Sequence, residues 1–128
     1  MIEIAVVGAH LSGMALNAEL CAHGAEFRRA VTTAPLYRLH ALAGGPPRRP
    51  GLLRVGGAEG AAIETEVWAL PTEGFGRFVA GIPAPLCIGT LILADGSTPK
   101  GFLMEPAGLV GAEDITRFGG WRAFMARV

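Results

Sequence analysis

Met1-Ile2-Glu3-Ile4-Ala5-Val6-Val7-Gly8-Ala9-His10-Leu11-Ser12-Gly13 opens the chain and decides its class. Ile2 to Val7 is β-branched and nearly all apolar, the composition of a strand covered on both faces, and Gly8 ends it. Beyond the loop, Ala15 to His23 sets Leu16 and Leu20 four apart, with Glu19 and His23 on another side and Gly24 after the last turn. That spacing predicts a short amphipathic helix with a glycine stop. A glycine loop running from a buried strand into a helix offers backbone amides at the positive end of a helix dipole, where an anion is stabilised. Gly8 and Gly13 lack the intervening glycine of a dinucleotide fingerprint, and no Gly-Lys-Ser/Thr follows as in a triphosphate loop. The spacing alone leaves a plain connecting turn equally open.

Working outward, Glu26 to Thr32 and Leu36 to Leu42 alternate like strands and are separated by Thr33-Ala34-Pro35, whose proline has no amide for a ladder. Leu52 to Val55 reads as another strand. Ile63 to Leu70 alternates most clearly, with Ile63, Thr65, Val67 and Ala69 on one side and Glu64, Glu66, Trp68 and Leu70 on the other. Pro71 opens a helical segment with Phe75, Phe78, Val79 and Ile82 in phase, and Pro83 ends it. Leu86 to Leu93 and Gly101 to Glu105 flank the turn signal Asp95-Gly96, and a last helix runs from Trp121 to Ala126. The prediction is an α+β fold: a small mixed, curled sheet or barrel of about six or seven strands with three short helices packed on it.

The chain has 128 residues, 51% hydrophobic and 17% charged, with eleven acidic and eleven basic side chains that cancel. One domain over residues 1–128 and one core are expected. The charge balance argues against nucleic acid as a partner. No apolar run reaches the ~18 to 20 residues of a membrane span, and the start lacks a basic region before an apolar one, so the reading is a cytoplasmic protein with no membrane partner. Cys21 and Cys87 lie far apart without ligand-spaced neighbours, so they read as buried apolar side chains in a reducing compartment, with no metal site and no cofactor. Gly44-Gly45-Pro46-Pro47-Arg48-Arg49-Pro50-Gly51 reads as a mobile loop within the domain.

Four places can carry chemistry. His10 sits in the glycine loop, where a histidine suits proton transfer but is often just solvated. Tyr37 and Arg38 form a pair able to bind a carboxylate, although alternation sends them to opposite faces. Glu64 and Glu66 share a strand face with Trp68, and a glutamate beside an aromatic has the raised pKa that suits proton transfer. The plainer reading of that face is a solvated one. His23, His40 and the methionines Met14, Met104 and Met125 read as structural. Only two serines occur, with no Gly-x-Ser-x-Gly, which argues against serine hydrolysis.

The run from Val6 to Asn17 resembles the start of the allophanate hydrolase C-terminal domain, and Thr33-Ala34-Pro35-Leu36-Tyr37-Arg38-Leu39 resembles a second signature of that family. Glu64 to Pro71, Ile82 to Thr90 and Asp114 to Arg122 resemble it in the same order, so the likeness spans nearly the whole chain. The resemblance implies a γ-glutamyl cyclotransferase-like barrel whose strand-to-helix loop holds a carboxyl group. Cyclotransferases also use a glutamate after the central strand, and Gly74 to Ala94 contains no Asp or Glu, so that activity is not expected here. In urea degradation the family domain follows an amidase, and decarboxylation of N-carboxycarbamate is assigned to it. This chain starts at its own Met1 without an amidase segment, and so reads as a free-standing relative. Whether it is an enzyme stays open between two readings. In the first, Gly8, Ala9, Leu11 and Ser12 hold one carboxylate of a small mono- or dicarboxylate through the Leu11 and Ser12 amides. Tyr37 or Arg38 then holds another, Glu66 borders the site, and His10 delivers a proton as carbon dioxide leaves. In the second, the chain is a non-catalytic module that pairs with itself as a homodimer or with an amidase.

Overall fold

The structure is a computed structural model describing residues 1–127. Strand β1 (Ile2–Val6) lies in the middle of a five-stranded sheet whose other strands are β2 (Glu26–Thr32), β5 (Glu64–Leu70), β6 (Leu86–Thr90) and β7 (Lys100–Met104), in the order β2-β5-β1-β7-β6. β1 runs antiparallel to β5, with Ala5 opposite Val67, and parallel to β7, with Ala5 opposite Gly101. The sheet is therefore mixed, as expected. β-branched and apolar residues dominate β1 because it has a neighbour on each edge, and Ile4, Ala5 and Val6 are fully buried. A side chain at Gly101 would collide with Leu91 and crowd the Ala5 carbonyl, so glycine is what lets β7 approach β1.

A second sheet, ordered β4-β3-β8, is built from β3 (Tyr37–Ala41), β4 (Pro50–Arg54) and the two-residue strand β8 (Glu113–Asp114). It leans on the first where Gly51 of β4 presses against Met104 of β7. Two differences from the sequence reading follow. β4 starts at Pro50, so the glycine-proline segment before it is shorter than the stretch through Gly51. β8 is too short to carry a periodic signal of its own. The hairpin joining β6 to β7 turns at Gly96, with φ of 85°, while Ser97 donates to Asp95 through its amide (2.9 Å) and its hydroxyl (2.6 Å).

Three helices cover the sheets: α1 (Asn17–Ala22), α2 (Thr72–Ala80) and α3 (Trp121–Met125). α1 buries Leu20, α2 buries Phe78 and α3 buries Trp121 and Phe124. α2 meets the end of α1 closely, since a Cβ at Gly74 would overlap the His23 carbonyl. Met104 is core, but Met125 is 44% exposed, and Cys21 is exposed while Cys87 is half-buried, so neither Met125 nor Cys21 is the buried filler expected. Helices α1 and α3 are too short to hide every apolar position on their outer turns. Among the described residues no helix is long and apolar enough to cross a membrane.

Candidate functional site

The loop from Gly8 to Gly13 is tied down through its carbonyls. Leu11 donates its amide to Gly8 O (3.0 Å), Leu16 to Ala9 O (2.7 Å), and the Asn17 side-chain amide donates to His10 O (2.9 Å). Leu11 is fully buried and anchors the loop in the core. Gly8 has no room for a side chain, because a Cβ would overlap the Pro50 ring. The amides of Ala9 and His10, by contrast, have no partner among the described residues. Gly8, Ala9 and His10 line a narrow cavity of about 20 Å³, closed by Arg49, Leu86 and Phe102.

The two amides expected to hold a carboxylate, those of Leu11 and Ser12, are both engaged within the protein. The Leu11 amide is taken by Gly8, and the Ser12 amide donates to Glu66 Oε1 at 2.7 Å while the Ser12 hydroxyl donates to Oε2 at 2.6 Å. Glu66 is itself the anion held by that end of the loop. Arg122 donates to Glu66 Oε2 (3.0 Å) and the Trp68 indole to Oε1 (3.1 Å). Burial pushes the Glu66 carboxyl up, but the donors from Ser12, Arg122 and Trp68 outweigh it and hold the group below the ordinary glutamate value. The expectations of a raised pKa and of a solvated strand face both give way here, because β5 lies inside the sheet and Glu66 is only 5% exposed. Arg122 also donates to Glu64 Oε2 (3.1 Å) and to the Ser12 carbonyl (2.7 Å), locking α3 to the loop.

His10 is 5% exposed. Its ring stacks on Phe102 at 5.2 Å between centroids and takes the edge of Phe78 at 5.0 Å. Nε2 is buried, lacks a hydrogen bond and lies 3.5 Å from Glu19 Oε1. Burial lowers the affinity of His10 for a proton. Glu19 opposes that effect and the Arg49 charge adds to it, and the balance lies below the ordinary histidine value of 6.5. The imidazole is therefore neutral at neutral pH. Arg49 is half-buried and has no carboxylate partner among the described residues, whereas Arg29, Arg38 and Arg122 each hold one. It lines the cavity with His10 and also the wider groove beside it.

Tyr37 and Arg38 belong elsewhere. Tyr37 pairs with Arg54 at one end of the β3–β4 hairpin and Ala41 with Pro50 at the other, so the tyrosine is about 13 Å along the strand from the Gly8–Pro50 contact. Its ring is fully buried and its phenol oxygen accepts the Ile92 amide (2.9 Å). Arg38 turns outward to Asp114 Oδ2 (2.8 Å) and to the Glu59 carbonyl (2.8 Å). Asp114 is pushed up by burial, yet Arg38 and Thr116 hold it well below the usual carboxylate range. The two faces differ as alternation predicts, and neither residue reaches the His10 cavity. The residues that do, Arg49, Leu86 and Phe102, were not singled out by the sequence, and neither was Glu19 as a partner of His10. The signal for Arg49 was an arginine immediately before a strand, in a segment otherwise free of charge except for Arg48.

Comparison with known proteins agrees with the architecture. The profile of the family described as allophanate hydrolase C-terminal domain matches residues 2–126. Urea amidolyase of Saccharomyces cerevisiae is 42% identical over 126 residues, covering 96% of this chain and 7% of that protein. The chain thus spans a small part of the length of the curated relatives it matches. Kluyveromyces lactis allophanate hydrolase superposes with a TM-score of 0.93 at 38% identity, over 97% of this chain and 21% of that one. A uropathogenic E. coli-specific protein gives a TM-score of 0.90 at 34% identity, over 99% and 97%. An AIG2-like protein from Mus musculus, at 19% identity and a TM-score of 0.62 over 85% and 82%, shares the α+β, γ-glutamyl cyclotransferase-like fold alone. With the matching profile running from the first residue of β1 to just past the end of α3, the chain belongs to the allophanate hydrolase C-terminal domain family.

Proposed function

We propose that the chain binds a small carboxylate in the His10 cavity and releases carbon dioxide from N-carboxycarbamate or a related N-carboxylated acid of nitrogen metabolism. The observation that carries this reading is Arg49: a half-buried guanidinium without a carboxylate partner among the described residues, beside a neutral histidine and two free amides. An arginine recognises a carboxylate through paired, charge-assisted hydrogen bonds. The Ala9 and His10 amides, without partners among the described residues, add donors beside the cavity.

The chemistry follows from the charges. A carboxylate settling on Arg49 offsets the positive charge that lowers His10, so binding raises the proton affinity of the imidazole. The N-carboxyl carbon–nitrogen bond then breaks, its electron pair stays on nitrogen, and His10 supplies a proton to that nitrogen as carbon dioxide departs. Glu19, half-exposed and 3.5 Å from Nε2, is placed to return the proton from solvent. The two unpaired thiols, Cys21 and Cys87, suit a cytoplasmic setting for this chemistry.

The test is carbon dioxide release from N-carboxycarbamate, generated in the cuvette by a separate amidase, with the parent, His10→Ala and Arg49→Met. The reading holds if the parent outpaces the uncatalysed loss and both variants fall to it. Equal rates for parent and His10→Ala remove His10 from the mechanism. A second reading, a non-catalytic assembly module that self-associates or pairs with an amidase, draws on Phe27, 49% exposed on edge strand β2. Light scattering that returns a monomer, with no shift on adding an amidase, counts against it.

A further inference from the structure

The narrow cavity at His10 has room for about one water-sized group, so it can take the end of a carboxylate and little more. The rest of any ligand must lie outside it. Beside it is a groove of about 310 Å³, with Arg49 and Leu86 lining both spaces. That volume is at the lower bound of ordinary small-molecule sites and is several times what the handful of non-hydrogen atoms in N-carboxycarbamate fills.

The groove walls state what the remainder of the ligand can be. Leu42, Ala43, Pro46, Pro83 and Pro85 give it apolar side chains, Gly44 and Gly45 line it with backbone alone, and Arg49 is the sole charged residue lining the groove. No side chain lining the groove other than Arg49 can pair with a second anionic group. The apolar character continues outward. Gly108 lies against Pro85 and Gly111 against Ala43, and between those two glycines Leu109 and Val110 are 40% and 84% exposed.

We propose, resting on the carboxylate reading above, that the natural ligand is an acid larger than N-carboxycarbamate: its carboxylated head lies at Arg49 and His10, and an uncharged, largely apolar substituent fills the groove between Ala43 and Pro85. The groove is a specificity element for that substituent.

Calorimetric titration of the full chain with three stable probes tests this. Malonate supplies the head alone, 2-butylmalonate adds an uncharged tail, and propane-1,1,3-tricarboxylate adds a charged one. The expected order is 2-butylmalonate about tenfold tighter than malonate, from burying roughly two methylene equivalents, and the tricarboxylate no tighter than malonate. Ala84→Trp and, independently, Ala43→Trp should fill the groove and erase the butyl preference while malonate still binds. Malonate and 2-butylmalonate binding equally overturns the proposal and leaves the head site standing. A butyl preference that survives both tryptophans places the tail elsewhere and overturns it too. If none of the probes binds, the carboxylate reading fails and this inference fails with it.

Discussion

The Ser12 amide and hydroxyl both donate to the Glu66 carboxylate, at 2.7 and 2.6 Å, so one end of the glycine loop already holds an anion supplied by the protein. Glu66 has a depressed pKa when folded and an ordinary one when unfolded. Its stabilising contribution is complete above the unfolded value of 4.5 and disappears as pH falls through the folded value. Thermal melting of the parent should therefore drop between pH 5 and pH 3 more steeply than that of Glu66→Gln. Parallel curves would deny the carboxylate this role.

Arg122→Met removes the cation from Glu66 and the latch from α3 to the loop. The expected loss is about 2 kcal/mol in urea unfolding, because a buried carboxylate keeps only its neutral donors. The double variant Arg122→Met/Glu66→Gln should lose less than the sum of its parts.

His10 should titrate below 6.5 by NMR, and its two charged neighbours should move it in opposite directions. Glu19→Gln lowers it further, since Glu19 favours the imidazolium, and Arg49→Met raises it. Because the unfolded chain holds the extra proton between the two values, the His10 contribution to stability is full above 6.5 and is lost as pH falls toward the folded value. A His10 resonance indifferent to both substitutions would break the electrostatic link that the proposed mechanism uses.

Arg49→Met and Arg38→Met separate the two arginines. The first should weaken malonate by about 10- to 100-fold with the melting temperature nearly unchanged, because Arg49 holds no carboxylate. The second breaks the pair with Asp114 and should leave malonate binding as in the parent.

How far the sequence carried this picture depended on how local each signal was. β1, β5 and the turn at Asp95-Gly96 announce themselves through apolar runs, alternation and a glycine that needs positive φ, and α2 through the phase of Phe75, Phe78 and Val79. The γ-glutamyl cyclotransferase-like fold was legible through the family likeness. Glu66 was misread because pairing partners, not alternation, decide whether a strand face is wet: β5 has β1 and β2 on its edges, and Glu66 found Arg122 from 56 residues away. Arg49 was invisible for the same reason, since its meeting with His10 depends on how two sheets close.

That closure rests on one missing methyl group. Gly8 lies against the Pro50 ring, and the next residue back along the chain is Arg49, so the contact that seats the loop also sets the spacing between the guanidinium and the imidazole. The proposed binding site is in this sense a report on tertiary assembly: a chain with all its secondary structure but an open seam between Gly8 and Pro50 has no site to offer. Ligand should accordingly raise the melting temperature by mass action on the closed form alone, and Gly8→Ala should forfeit stability and ligand protection together.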